Sequence, residues 1–232
     1  VYEYWDKYDK AIENYQQALT LFRKLEKEDK IASSLKSIAR AYEYWGQYDK
    51  AIENYQQALT LYKKLGKEKW IASTVNSIGM LYQSQDKFDK AIENFQQALT
   101  LLRKLGNEYG IASSLTSIGR LYSSWGQYDK AMENYQQALT LFKKRGEGDM
   151  IAMTLIDVGL AYNSQGQYDK AIENFQQALA IARRLGSNEG IVSSLKSIAT
   201  VYDSWGQYDK AIENHQQALA IHRKLGREKY SA

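Results

Sequence analysis

The sequence has no cysteine and no proline, and only two histidines in 232 residues. Without cysteine there are no disulfides, no thiolate nucleophile and no sulfur-ligated metal, a composition that fits a cytoplasmic location. Without proline, the strongest helix breaker is missing from the whole length. No apolar run approaches the roughly 18 residues that a membrane-spanning helix needs. Net charge is small, with 31 basic against 27 acidic residues and a balance of +4. That gives no electrostatic case for nucleic acid or a membrane surface, and neither partner is expected. The opening, Val1-Tyr2-Glu3-Tyr4-Trp5, has neither signal-peptide nor transit-peptide character. It also lacks an initiating methionine, so the chain is expected to be a piece of something longer.

What is present is repetition. Asp-Lys-Ala-Ile-Glu-Asn begins at Asp9, Asp49, Asp89, Asp169 and Asp209, and the same block with Met132 for isoleucine begins at Asp129. Gln-Gln-Ala-Leu begins at Gln16, Gln56, Gln96, Gln136, Gln176 and Gln216. The period is 40 residues over six copies, without insertion or deletion. A period of this length marks a stack of small supersecondary units.

Each unit carries two helical patterns. In the second, Ile31, Leu35, Ile38, Ala39 and Tyr42 fall on one helical face and predict helix A over roughly 31–45. Tyr48, Ala51, Ile52, Tyr55, Ala58, Leu59, Tyr62 and Leu65 form a second stripe and predict helix B over roughly 48–65. Gly46, Gly126, Gly166 and Gly206, with Asp6 and Asp86 in the other copies, are expected at the tight turns between the two helices. Gly66, Gly106, Gly146, Gly186 and Gly226 are expected to end helix B. Short polar joints make successive helices antiparallel. Small residues at Ala39, Gly79, Gly119, Gly159 and Ala199 would let helices A and B approach. Tyr42, Tyr82, Tyr122, Tyr162 and Tyr202 would fill the space beside them as buried aromatics.

In order and spacing, Leu35, Ile38, Ala39, Tyr42, Gly46, Tyr48, Ala51, Tyr55 and Ala58 resemble the tetratricopeptide repeat family. The resemblance covers nearly the whole chain. The common form of that family repeats every 34 residues and carries a late proline. This sequence has neither feature and resembles the longer-period branch, seen in kinesin light chain, cell-polarity adaptors and peptide-sensing bacterial regulators. The resemblance implies an all-α fold: a right-handed superhelical α-solenoid of antiparallel helix pairs. It would be one body over 1–232, with units near 1–30 (mainly a helix B), 31–70, 71–110, 111–150, 151–190 and 191–232.

The resemblance also implies that helix A of each unit lines a concave groove that receives a protein or peptide segment. The candidate groove residues are then Lys36, Ser37, Arg40 and Tyr44 in the second unit, and Asn76, Ser77, Met80 and Gln83 in the third. Thr116, Ser117 and Arg120 follow in the fourth, Asp157 and Asn163 in the fifth, and Lys196, Thr200 and Asp203 in the sixth. Their hydroxyl and amide groups suit hydrogen bonding to a peptide backbone. Many long-period relatives carry asparagine where this chain has Ser37, Ser77, Ser117, Asp157 and Ser197. Arg40 stands where the clamp for chaperone tails would need asparagine, so chaperone-tail binding is not expected.

Basic pairs recur from Arg23-Lys24 to Arg223-Lys224. They read either as a track for an acidic partner or as cations placed at the negative ends of helices, and the second accounts for them. His215 and His222 share a helix face, but a metal site commonly needs three ligands and no third is apparent. Polar residues repeat with the unit, whereas catalysis needs one unlike cluster. No catalytic residue, cofactor or metal is therefore expected. The Gly146-x-Gly148 pair is a linker and no nucleotide motif. The function expected is a binding scaffold. The alternatives are a regulatory arm of a larger bacterial signalling NTPase or caspase-like protein, and an array that self-associates end to end.

Overall fold

A computed structural model describes residues 2–230, with side chains over 8–224. Among the described residues there are eleven α-helices and no strand. Helix B of the successive units is α1 (Tyr2–Lys24), α3 (Tyr48–Lys64), α5 (Phe88–Lys104), α7 (Tyr128–Arg145), α9 (Tyr168–Leu185) and α11 (Tyr208–Tyr230). Helix A is α2 (Glu28–Tyr44), α4 (Glu68–Ser84), α6 (Glu108–Ser124), α8 (Gly148–Ser164) and α10 (Asn188–Ser204). Helix A starts about one turn before its apolar stripe. The residues added there include Glu28 and Asp29, whose charges meet the positive end of the helix dipole.

The turns are copies of one another. After α2, the Gly46 N–H donates to the Glu43 carbonyl and the Gln47 N–H to the Tyr42 carbonyl, at 3.0 and 2.9 Å. This paired bonding satisfies carbonyls that the helix end would leave bare, and it forces the intervening residue into the left-handed region. Glycine takes that place at eight turns, with φ from 62° to 77°. Glu26 and Asp86 take it at the other two, with φ of 50° and 55°. Two sequence expectations are corrected here. Asp6 lies inside α1 and makes no turn, and Gly226 lies inside α11 and ends nothing.

The chain forms two compact units, Val1–Leu121 and Tyr122–Ala232. In the first, each of α1 to α4 packs on the helix that follows it. Its interior contains Ile12, Leu19, Leu35, Ile38, Tyr62, Ile71 and Val75, with Ile52, Tyr55, Ile78 and Leu81 in a second cluster. In the second unit α7 to α11 pack in the same succession, around Phe175, Leu179, Leu195, Ile198 and Val201.

Helix B has two working faces. Ala91 and Phe95 of α5 meet helix A of their own pair: a Cβ built on Gly79 would lie 2.8 Å from the Phe95 ring. Gly159 and Phe175 repeat the arrangement at 2.6 Å. The other face meets the following helix A. Tyr62 stacks on Trp70 at 5.8 Å, Leu102 abuts Gly110, and Ala182 abuts Gly190. On the face towards its own pair the fully buried aromatics are thus Tyr55, Phe95, Tyr135 and Phe175, and Phe142 is fully buried at the position of Tyr62. Tyr42, Tyr82, Tyr122, Tyr162 and Tyr202 are only half-buried, which corrects the sequence expectation. Each has a helix B lysine over its ring, from Lys50 on Tyr42 at 5.4 Å to Lys210 on Tyr202 at 5.2 Å.

Candidate functional site

The faces of helix A that the sequence singles out adjoin one another within each unit. In the first, the Lys36 ammonium donates to Ser73 Oγ at 2.8 Å, and Ser114 Oγ donates to Asn76 Oδ1 at 3.3 Å. These bonds tie α2 to α4 and α4 to α6. Arg40, Tyr44 and Met80 are exposed, while Lys36, Ser37, Asn76, Ser77, Gln83, Ser117 and Arg120 are partly covered. In the second unit α8 and α10 touch. Asp157 and Asn163 are partly covered, and Lys196, Thr200 and Asp203 are exposed.

The hydroxyls are less available than the sequence implies. Ser37, Ser77 and Ser117 donate to the carbonyls of Ser33, Ser73 and Ser113, and Thr200 donates to that of Lys196. Back-bonding of this kind spends the hydroxyl proton inside the helix, so these groups can only accept from a ligand. Thr116 is corrected outright. It is 3% exposed, and its hydroxyl donates to the Ala112 carbonyl, so no ligand atom can reach it.

Two cations share the α2 face. Burial pulls the Lys36 ammonium below its ordinary pKa, and the neighbouring Arg40 charge adds to the effect. A hydrogen bond with Tyr44 is the main cause that holds the Arg40 guanidinium above its own ordinary value. The Trp70 ring lies under Lys36, 5.0 Å from the ammonium. Behind this face, Tyr55 donates to Glu43 at 2.8 Å. Burial, then the Glu43 charge, pushes the Tyr55 phenol well above the usual range.

Two concavities open beside these faces. One of about 260 Å³ is lined by Ser37, Arg40, Ala41 and Tyr44 of α2 with Tyr8, Ala11 and Tyr15 of α1. The other, about 390 Å³, lies in the second unit against Ser193, Lys196, Ser197 and Thr200 of α10, with Leu160 and His222 at its sides. Among the described residues no three His, Cys, Asp or Glu side chains converge as metal ligands, and no helix is long and apolar enough to cross a membrane.

The model of the tetratricopeptide repeat matches residues 1–64, 70–144 and 150–224. The chain belongs to the tetratricopeptide repeat family. Solved structures of similar fold include BtubC (BKLC) from P. vanneervenii, 20% identical, with a TM-score of 0.80 over 94% of this chain and 92% of that one. A putative kinesin light chain of Podosopora anserina, with nearly identical repeats, is 23% identical, with a TM-score of 0.69 over 86% of this chain and 98% of its own. A Rap protein complexed with Competence and Sporulation Factor is 19% identical, with a TM-score of 0.71 over 97% of this chain and 73% of that one. At such identities the likeness is one of fold. No curated protein is detectably similar in sequence.

Among tetratricopeptide repeat positions, the one that sequence reasoning passed over is Trp70. The same position holds Lys30, Gly110, Met150, Gly190 and Tyr230 in the other copies, so tryptophan stands there once and breaks the symmetry of the repeat. That irregularity was the available signal. Tyr8 and Tyr15 gave no comparable signal, because tyrosine at those positions recurs in other copies.

Proposed function

We propose that this chain is a binding scaffold for a protein or peptide segment, received within each compact unit by its helix A faces, those of α2, α4 and α6 in the first and of α8 and α10 in the second. The observation that carries the reading is their adjacency. Lys36, Asn76 and their neighbours are cross-linked from one helix A to the next, so one extended ligand could touch several repeats in turn. Half-exposed Trp70, under Lys36, and Met80, against Asn76, supply apolar contact on these faces. The side chains differ between repeats, which lets a groove built on a uniform backbone discriminate among ligands. A Rap protein of similar fold has been crystallised in complex with Competence and Sporulation Factor, which supports a partner of this class.

The test is recovery of partners on the immobilised chain, compared with an Asn76→Ala, Arg120→Ala variant. At least a five-fold loss of the same partner is expected, with unchanged helical circular dichroism. Equal recovery by both chains would place binding elsewhere.

A further inference from the structure

We infer that the groove between α9 and α11, over the start of α10, is an outer docking site for an acidic segment of a protein partner, which sets a carboxylate beside Arg183 and Lys224 and an aliphatic side chain on the floor below them. The site is separate from the helix A faces and does not rest on them. It is read from a substitution that the repeats make visible. In the first compact unit the lysine that ends helix B is paired with the glutamate that starts the helix A of its own pair: Lys64 of α3 donates to Glu28 of α2, and Lys104 of α5 to Glu68 of α4. In the second unit the cation is kept and the anion is not. Arg184 and Lys224 take the lysine's place in the repeat, while Gly148 and Asn188 take that of the glutamate. Among the described residues neither Arg183 nor Lys224 has a carboxylate partner. The helix dipole accounts for a cation at the end of every helix B, but not for the loss of the anion in these two repeats.

At Asn188 the missing carboxylate adjoins a concavity. About 450 Å³ lies between Arg183 at the end of α9, Asn188, Ile191 and Leu195 of α10, and Ile221 and Lys224 of α11. Leu195 is buried and Ile191 and Ile221 are half-buried, so the floor is apolar while the rim carries two positive charges. Nearby acids do not neutralise that rim. Glu213 accepts from Gln217 at 3.4 Å and starts about 16 Å from Lys224 along α11. Glu189 is exposed and lies outside the lining. One exposed ion pair contributes little, so the occupant has to use the floor as well as the rim. A phosphate backbone would meet the cations and leave the floor wet, and a purely aliphatic ligand would leave the cations bare. A peptide segment with an acidic side chain next to an aliphatic one satisfies both.

The probe is a short fluorescein-labelled peptide in which glutamates alternate with leucines, with glutamine for glutamate in a control peptide. It is titrated into the 232-residue chain, and binding is followed by anisotropy and by calorimetry. Saturable binding of one equivalent is expected. Raising salt from about 0.05 to about 0.5 M, which shortens the screening length to about 4 Å, should weaken it at least five-fold. The glutamine peptide should not bind. Asn188→Glu, which restores the repeat's own anion at an exposed position, should lower affinity at least five-fold with unchanged helical circular dichroism, and so should Lys224→Gln. Glu68→Asn opens the matching place between α3 and α5 and should raise the stoichiometry from one to two. No saturable binding, equal binding after Asn188→Glu, or a single equivalent still bound after Glu68→Asn overturns the inference. So does tighter binding of single-stranded RNA or of anionic phospholipid vesicles that Asn188→Glu abolishes, because the occupant is then not a protein segment. Asn76→Ala, Arg120→Ala leaves binding of this peptide unchanged while lowering partner recovery, so the two readings fail separately.

Discussion

At the scale of single residues, the repeat supplies its own controls. Ten turns share one backbone geometry, and eight of them use glycine where Glu26 and Asp86 sit at positive φ. A side-chain-bearing residue pays about 1–2 kcal/mol in the left-handed region, and glycine's freer unfolded chain returns about half of that. Glu26→Gly should therefore raise stability by about 0.5–1 kcal/mol, seen as a higher urea midpoint at unchanged slope. Asp86→Gly should gain less, because aspartate tolerates this region better. A second control concerns buried hydroxyls. Ser114 bonds Asn76, but its counterpart two repeats on, Ser194, has a buried hydroxyl without a partner. The position equivalent to Asn76 there is Ile156, which can offer no acceptor. A buried hydroxyl left unpaired costs about 1–3 kcal/mol. Ser194→Ala should thus be neutral or stabilising by up to about 1 kcal/mol, while Ser114→Ala should destabilise by about 1 kcal/mol. Chemical denaturation of the two variants side by side decides it, and a clear loss of stability for Ser194→Ala would contradict the account.

At the scale of the helix pair, the period of 40 and the apolar stripes made the eleven helices legible, because helix periodicity and glycine turns are local properties. The candidate site was legible only in part. Lys36, Arg40 and Met80 do present themselves on helix A faces, but Thr116 is buried and four hydroxyls bond back to their own helix. Those outcomes depend on rotamers and on neighbours in the next pair, which no single window of sequence encodes. The split between the two tyrosine sets was likewise invisible. Tyr42 and Tyr55 both lie on apolar stripes, yet only Tyr55 is sealed between the helices of its pair, where it bonds Glu43 across from α3 to α2. This burial has a pH signature. The folded phenol is held above the value of about 10 that it has when unfolded, so above that pH the unfolded chain releases a proton that the fold retains. Stability from this group is fully present below pH ~10 and falls as pH rises beyond it. Tyr55→Phe, which copies Phe95 and Phe175, should cost about 1.5 kcal/mol at pH 7, the low end for a hydrogen bond to a charged group, because Glu43 is itself only half-buried and keeps access to water. It should also flatten the decline of the urea midpoint between pH 9 and about 11.

At the scale of the whole molecule, stability is assembled from neighbours, since no helix pair can bury both faces of its helix B alone. Damage should then stay local. Gly79 and Gly159 offer matched sites, one in each compact unit, where a methyl group would press on Phe95 or Phe175. Overpacking of this kind costs about 1–3 kcal/mol. If coupling runs only between adjacent pairs, Gly79→Ala should speed amide hydrogen exchange in α3, α4 and α5 and leave α8 and α9 at their parent rates. Gly159→Ala should do the reverse. In a domain with a single undivided core, either substitution would lower protection everywhere by the same factor, because every amide would exchange through one global opening. Peptide-resolved exchange of the two variants separates these behaviours. It also bears on function: a scaffold whose repeats open one at a time can adjust to a ligand at one repeat while the others keep their shape.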